Sequence, residues 1–412
     1  MVLGIDLSRA YAQVSIYDKK NSTVDTLELL KCDNSCNIPT QLCKKKGLDE
    51  WYVGDEARRL ELLSEGVIVD DIVTKVITKE EIIVDNVGVS YNTLMTHFLK
   101  KLIELVCPVG EVEYLTICFE EFTINLLDSV RKALEKLEVD LTKVEFINRS
   151  ESDMYYVLSQ NKDIWYGNVA LFDYSAKGLI VSILEVHKNN GSEIVVINEH
   201  DFSAELPYIS GEEKYKETAI NDTLIKISDK LFEKRIVSAI FLTGIGFESE
   251  ISYDMFIKHV CGRRRMFIGQ NIYSKGACYS SMEMRKPGSF ADRTLLCADK
   301  ILYELDMDIT ERGKQSRLRI VKPGINWYKA RRKFDFFVDG ESELVFRKKM
   351  FGEDDIEVIT IGLLDIPNRP NKATKLCIGF DFESDGKLKV TVKDKGFGSL
   401  FKSSGVIIEK VI

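Results

Sequence analysis

Apolar and polar positions along this chain fall into two regimes. Up to residue 288, short apolar runs alternate with stretches of helical period; from 289 onward the period drops to two and stays there. The opening stretch, VLGIDLSRAYAQVSIYD at 2–18, reads as a β-hairpin with Asp6 where its first strand ends. The stretch NVALFDYSAKGLIVSILEV at 168–186 repeats that form, with apolar runs at 169–172 and 179–186 flanking a polar turn that begins at Asp173. Each is a strand, an aspartate, a small-residue turn and a return strand. The repetition predicts two lobes built alike, their turns facing a shared cleft.

Between and after the hairpins the pattern predicts a strand at 23–30 behind the Asn21–Ser22 turn. A helix follows at 56–63, with Asp55 as its cap after Gly54. Apolar residues at 94, 95, 98, 99, 102, 103, 105 and 106 predict a helix over 91–107, stopped by Pro108. A buried strand at 114–119, a helix over 123–137 and a strand at 144–147 come next, then a strand at 194–202 and an amphipathic helix over 211–234. The run SAIFLTGIGFES at 238–249 is a buried strand broken at Gly244 and Gly246, and NIYSKGACYSS at 271–281 a helix of small residues. ProGlySer at 287–289 reads as a linker. The alternating runs beyond it predict an all-β domain over 289–412, with Asp385–Gly386 as a hairpin turn in which glycine supplies a positive φ.

Composition narrows the chemistry. A net charge of −8 argues against general binding to nucleic acid or anionic membranes, which needs clustered excess Lys and Arg. No apolar run approaches the roughly 18 residues of a spanning helix, and the N-terminus opens almost directly on a strand, so a cytoplasmic location is expected. The nine cysteines show no disulfide spacing; Cys32, Cys36 and Cys43 cluster, but no histidine lies near them in sequence to complete a zinc site. The basic runs at 262–266 and 329–333 read as solvated loops, and His97 as a satisfied or solvent-facing histidine. No Ser/His/Asp or Cys/His pattern points to a nucleophilic hydrolase.

At the two hairpins the sequence resembles the superfamily of actin, sugar kinases and heat-shock chaperones, ATPases whose lobes grip phosphates with such turns. IleProThrGln at 38–41 and TrpTyrValGlyAspGluAlaArg at 51–58 follow in that family's order. LLDIPNRP at 363–370 with CIGFDFESDGKLKVTVKDK at 377–395 narrows the resemblance to the DnaK-type, seventy-kilodalton heat-shock chaperones. The resemblance implies an α/β actin-like (ribonuclease H-like) two-lobed ATPase domain over 1–288, followed by the chaperones' substrate-binding β-sandwich over 289–412. The short chain between the central hairpin and residue 238 implies a reduced outer subdomain, and a helical lid is not expected.

The same resemblance implies ATP or ADP with Mg²⁺ as cofactors and a protein or peptide client as partner, oligomeric state open. It places Asp6, Ser8, Arg9, Asp173, Ser175, Lys177, Gly178, Gly244 and Gly246 around the nucleotide. Yet Ser8, Arg9 and Ala10 stand where the family has glycine and two threonines, and Ser175, Ala176, Lys177 and Gly178 replace three glycines and a threonine. Arg149 takes the place of the catalytic glutamate, and Ile180 that of a second aspartate. Side chains on such turns fill phosphate space, so hydrolysis by the family mechanism is not expected. The expected function is a peptide-binding module with a degenerate ATPase domain; a slowly hydrolysing chaperone and an actin-fold scaffold are the alternatives. Arg9 and Lys177 have two readings: they meet a phosphate in place of the metal's charge, or they salt-bridge Asp173 or Asp6 and lock the lobes.

Overall fold

A computed structural model describes residues 1–29, 36–189, 192–209, 216–248, 250–269, 271–288, 290–338, 340–370 and 372–412. The chain divides into two compact units, Met1–Arg293 and Thr294–Ile412. The reading of Cys32, the start of the 211–234 helix, and Ser289 of the expected linker lie outside the described residues.

In the first unit two sheets share one topology. In the first sheet the strand Val2–Leu7 is central. On one side it pairs parallel with Tyr114–Phe119, which pairs parallel with Val144–Asn148. On the other it pairs antiparallel with Tyr11–Asp18, which continues to Thr23–Thr26. In the second sheet Asn168–Ser175 holds the same place, with Val237–Thr243 and Arg265–Ile268 parallel on one side and Gly178–Asn189 and Ser192–Asp201 antiparallel on the other. Numbered by appearance, both run 5-4-1-2-3. The aspartates correspond: Asp6 lies opposite Gln13 and beside Cys118, and Asp173 opposite Ile180 and beside Thr243. The central strand of the first sheet is buried along its whole length, as a strand covered on both faces must be.

Several local expectations shift. Asp173 does not begin the second turn. The ladder continues to Ser175 opposite Gly178, because Tyr174 is wholly buried and keeps its backbone in the sheet. The helix expected from Glu56 starts at Gly54 and runs to Leu62, with Val53 as N-cap and Asp55 in its first turn, where a carboxylate favours the helix dipole. The 91–107 pattern yields Tyr91–Glu104, capped by Ser90, whose side chain accepts from Thr93 N; the 23–30 strand is only Thr23–Thr26.

Two helices tie the halves together. Arg149–Leu158 follows the strand Val144–Asn148 of the first sheet, and Ile272–Arg285 follows the strand Arg265–Ile268 of the second yet packs on the first. Small residues permit the approach. A Cβ on Gly4 would strike the backbone of Ser274 and Cys278, and one on Gly276 would strike Ser152. Hydroxyls satisfy the backbone there: Ser152 Oγ donates to the Tyr273 carbonyl at 2.6 Å and Ser281 Oγ to that of Leu3 at 2.7 Å. The apolar core of the second lobe gathers Phe172, Tyr174, Leu224, Leu242 and Phe256 between its sheet and the helices Glu217–Phe232 and Asp254–Val260.

The second unit is two four-stranded antiparallel sheets. One orders Lys314–Val321, Tyr303–Glu311, Glu343–Met350 and Ile356–Gly362; the other Arg332–Val338, Thr374–Ser384, Lys387–Asp394 and Ile407–Val411. Their inner faces meet through aromatic rings, Phe346 to Phe380 at 5.8 Å and Tyr303 to Phe382 at 6.5 Å. Asp385–Gly386 does turn the hairpin, but Gly386 is not at positive φ; its N–H donates to Asp385 Oδ1 at 3.0 Å and a bulge at Phe382/Ser384 absorbs the twist. A buried Arg369 donates to both oxygens of Asp394, at 2.8 and 2.6 Å, and the same carboxylate accepts from the N–H groups of Gly396 and Ser404.

Candidate functional site

The two aspartates reach the same place. Asp6, fully buried, accepts from Arg149 Nε at 3.3 Å and Nη2 at 2.9 Å; the Arg149 guanidinium also stands 3.9 Å from Asp173 and 3.6 Å from Glu120. Arg149 is the first residue of its helix, whose cap Asn148 accepts from Glu151 N. Strand, cap and helix start therefore fix the guanidinium's origin. The ring of Tyr273 lies beneath it at 4.4 Å, and the Tyr273 hydroxyl donates to Asp173 at 2.7 Å. One cation thus spans carboxylates from both halves.

Charge and burial compete here. Burial pushes the carboxyls of Asp6 and Asp173 above their ordinary range, Arg149 working against it in both cases. Burial would raise Glu120 too, but Arg149 and Lys177 outweigh it and hold Glu120 below the usual value. Arg149 keeps its charge: burial disfavours it, but Asp6, Tyr11, Tyr273 and Asp173 carry its pKa well above normal. Tyr11, nearby, is pushed up to about 12 by burial. Asp153 is buried, and its carboxyl is driven well upward by desolvation and then by Asp173 and Glu199, which favours the neutral acid.

The expected site residues divide. Asp6 and Asp173 are brought together. Arg9 and Lys177 do not meet either of them: Arg9 pairs with Glu121 at 2.7 Å and Lys177 with Glu120 at 3.1 Å, since each turn projects past its aspartate toward the acidic pair that ends the strand Tyr114–Phe119. Ser8 closes its own turn, its hydroxyl donating to the Tyr11 carbonyl at 2.7 Å and accepting from Tyr11 N at 3.0 Å. Ser175 Oγ accepts from Lys177 N at 3.3 Å. Gly178 takes φ +105°, where a Cβ would lie 2.6 Å from that of Ser203.

The remaining glycines serve the neighbouring strand. A Cβ on Gly244, at φ +94°, would lie 2.6 Å from Asp173 Oδ1 and from the Tyr174 carbonyl, and one on Gly246 would enter the Tyr174 ring. The cavity bounded by Tyr11, Asp173, Gly244, Glu248 and Tyr273 measures about 20 Å³, room for roughly one water.

Mg²⁺, implied by the resemblance, does not fit this arrangement. A hydrated dication bridging the two aspartates needs the space that Arg149 fills, and the guanidinium already supplies the positive charge. Glu120, Tyr273 and Asp153 were not singled out in sequence. The signal for Glu120 was present, an acidic pair directly after a buried parallel strand, at the end where α/β sheets place their polar sites.

Comparison with known families places the chain in two steps. Residues 23–298 match the family described as "Family of unknown function (DUF5716) C-terminal", and the chain belongs to that family. Residues 300–412 match a second description, "Domain of unknown function (DUF8552)", which coincides closely with the second compact unit. Among curated proteins none matches.

Proposed function

We propose that the chain is a divergent relative of the DnaK-type heat-shock chaperones: an actin-like unit that has lost ATPase chemistry, joined to a β-sandwich that binds protein or peptide. The observation that carries the reading is Arg149, seated between Asp6 and Asp173. The repeated 5-4-1-2-3 strand order, with an aspartate at the same register in each copy, supports the actin-like assignment. In such a unit the two aspartates hold the metal that orients the nucleotide phosphates. A tethered guanidinium offers positive charge without an exchangeable ligand, so the two halves are held together in the absence of nucleotide. Client binding then falls to surfaces. The sandwich has edge strands at Ile407–Val411 and Ile356–Gly362 that leave backbone donors and acceptors for an added strand.

Calorimetric titration with ATP, with and without Mg²⁺, beside a phosphate-release assay, tests the first half. Heat that does not depend on Mg²⁺, or none, with no phosphate released, is expected. Micromolar Mg²⁺-dependent binding with release would overturn it in favour of an active chaperone. For the second half, fluorescence anisotropy against an array of extended peptides should give saturable binding. Failure across the array, together with concentration-dependent filaments in sedimentation, would make the protein a scaffold.

A further inference from the structure

One open cavity among the described residues, walled by aromatic rings and carboxylates, lies outside the cleft; none of its lining residues is among those around Arg149. It measures about 230 Å³ and lies where the helices Arg149–Leu158 and Ile272–Arg285 and the strand Val144–Asn148 approach the segment carrying Phe290. That volume is below the roughly 300–1,000 Å³ of small-molecule pockets and suits a single side chain.

Its walls have one chemistry. Tyr155 and Phe290 stand with ring centroids 4.8 Å apart, tilted by 40°. Met284 adds a polarizable apolar surface, and Glu145 and Glu283 supply carboxylates. Glu283 is fixed: its Oε1 accepts from Phe290 N at 3.1 Å and from Gly288 N, so the carboxylate and the aromatic wall are set by one loop. One cation near this wall, Arg293, is matched elsewhere. Arg293 lies 5.5 Å from the Phe290 ring but donates to Glu193 at 2.8 Å. Aromatic faces with two carboxylates, that of Glu283 held by its loop, around a one-side-chain volume suit an alkylammonium group, which gains from ring quadrupole and ion pairing together.

We propose that this cavity is a docking site for a lysine side chain presented by a partner polypeptide. The lysine stem lies along Met284 and Phe290, and its ammonium sits between Glu145 and Glu283 against Tyr155. The site is separate from the cleft and stands whether or not the cleft takes nucleotide.

The test uses the full chain labelled with ¹³C at methionine methyls, so that Met284 reports from inside the cavity. The probes are the peptide acetyl-Gly-Lys-Gly-amide, its norleucine counterpart of similar length without charge, and spermidine. A saturable shift of the Met284 methyl with the lysine peptide, absent with norleucine and weakened about fivefold or more in Glu145→Gln, supports the site. Equal shifts with both peptides, or no shift with either at millimolar concentration, overturn it. Displacement of the lysine peptide by spermidine at far lower concentration also overturns it, by assigning the cavity to a free polyamine.

Discussion

Removing the Arg149 guanidinium should do more damage than its single charge suggests. Asp6 is fully buried and Arg149 is 14% exposed, with two hydrogen bonds between them and a second carboxylate, Asp173, at 3.9 Å. In Arg149→Met the volume is kept in large part, but Asp6 is left buried without a counter-charge. Breaking a buried pair in this way costs about 3–5 kcal/mol. For the unit Met1–Arg293, at an unfolding entropy of about 2.1 cal/mol/K per residue, that lowers the melting temperature by about 5–8 °C. Two controls separate the ion pair from general damage. Asp6→Asn on the Arg149→Met background removes the stranded charge and should recover much of the loss. Arg9→Ala and Lys177→Ala break pairs whose cations are 43% and 52% exposed, and should each stay within about 1 kcal/mol of the parent. The pH dependence has a defined sign. Asp6 is raised by burial and rises further without Arg149, so its protonated form is the one the fold favours. The deficit of Arg149→Met is therefore largest at alkaline pH and shrinks as the pH falls through the folded value of Asp6. Scanning calorimetry of the four variants from pH 5 to about 8 measures all of this. A melting curve for Arg149→Met that overlays the parent at the alkaline end would refute the latch.

Two further outcomes follow from the geometry. In the second unit Asp394 accepts from Arg369, Gly396 and Ser404, and these bonds, Arg369's the largest influence, hold its carboxyl far below the usual range. Its contribution is present above the ordinary aspartate value and disappears as the pH falls toward the folded one; Asp394→Asn should flatten that acid limb and cost about 3–5 kcal/mol in urea unfolding at neutral pH, and an unchanged midpoint for the second unit would count against it. At the helix crossing, Gly276→Ala places a methyl against the Ser152 backbone, which is not free to rotate away. A loss of about 1–3 kcal/mol is expected, with Ser152→Gly unable to relieve it because the carbonyl remains; full recovery in that double variant would show that only the hydroxyl was in contact.

How much of this was legible in the chain depends on whether a feature is written locally. The hairpins were legible because period-2 runs around Asp6 and Asp173 are local signals, and the second unit because its alternation is unbroken over many strands. The turn at Asp173 was misplaced by the same locality: Ala176 and Lys177 form it, because Tyr174 buries its ring against residues such as Phe247, far along the chain. The pairing of cations failed for a related reason. Arg9 and Lys177 sit one to each turn, so proximity in sequence to the aspartates suggested that they cross the cleft. Their length carries them outward instead, to Glu121 and Glu120.

Arg149 is the instructive case, since a cation at the start of that helix was visible in the sequence while its place between two aspartates was not. Two aspartates at matching strand positions give two predictions: a cleft with unbalanced carboxylates, or a compensated one. Charge decides between them. Two aspartates brought together in a buried site repel, and without metal each would carry an uncompensated desolvation cost. Arg149, the first residue of the Arg149–Leu158 helix, supplies the compensating cation at that point. With Arg149 in place, replacing Asp6 would take from a largely buried guanidinium both of its hydrogen bonds to that carboxylate, and replacing Asp173 would remove a nearby counter-charge. The guanidinium thus makes both aspartates part of what stabilises the fold.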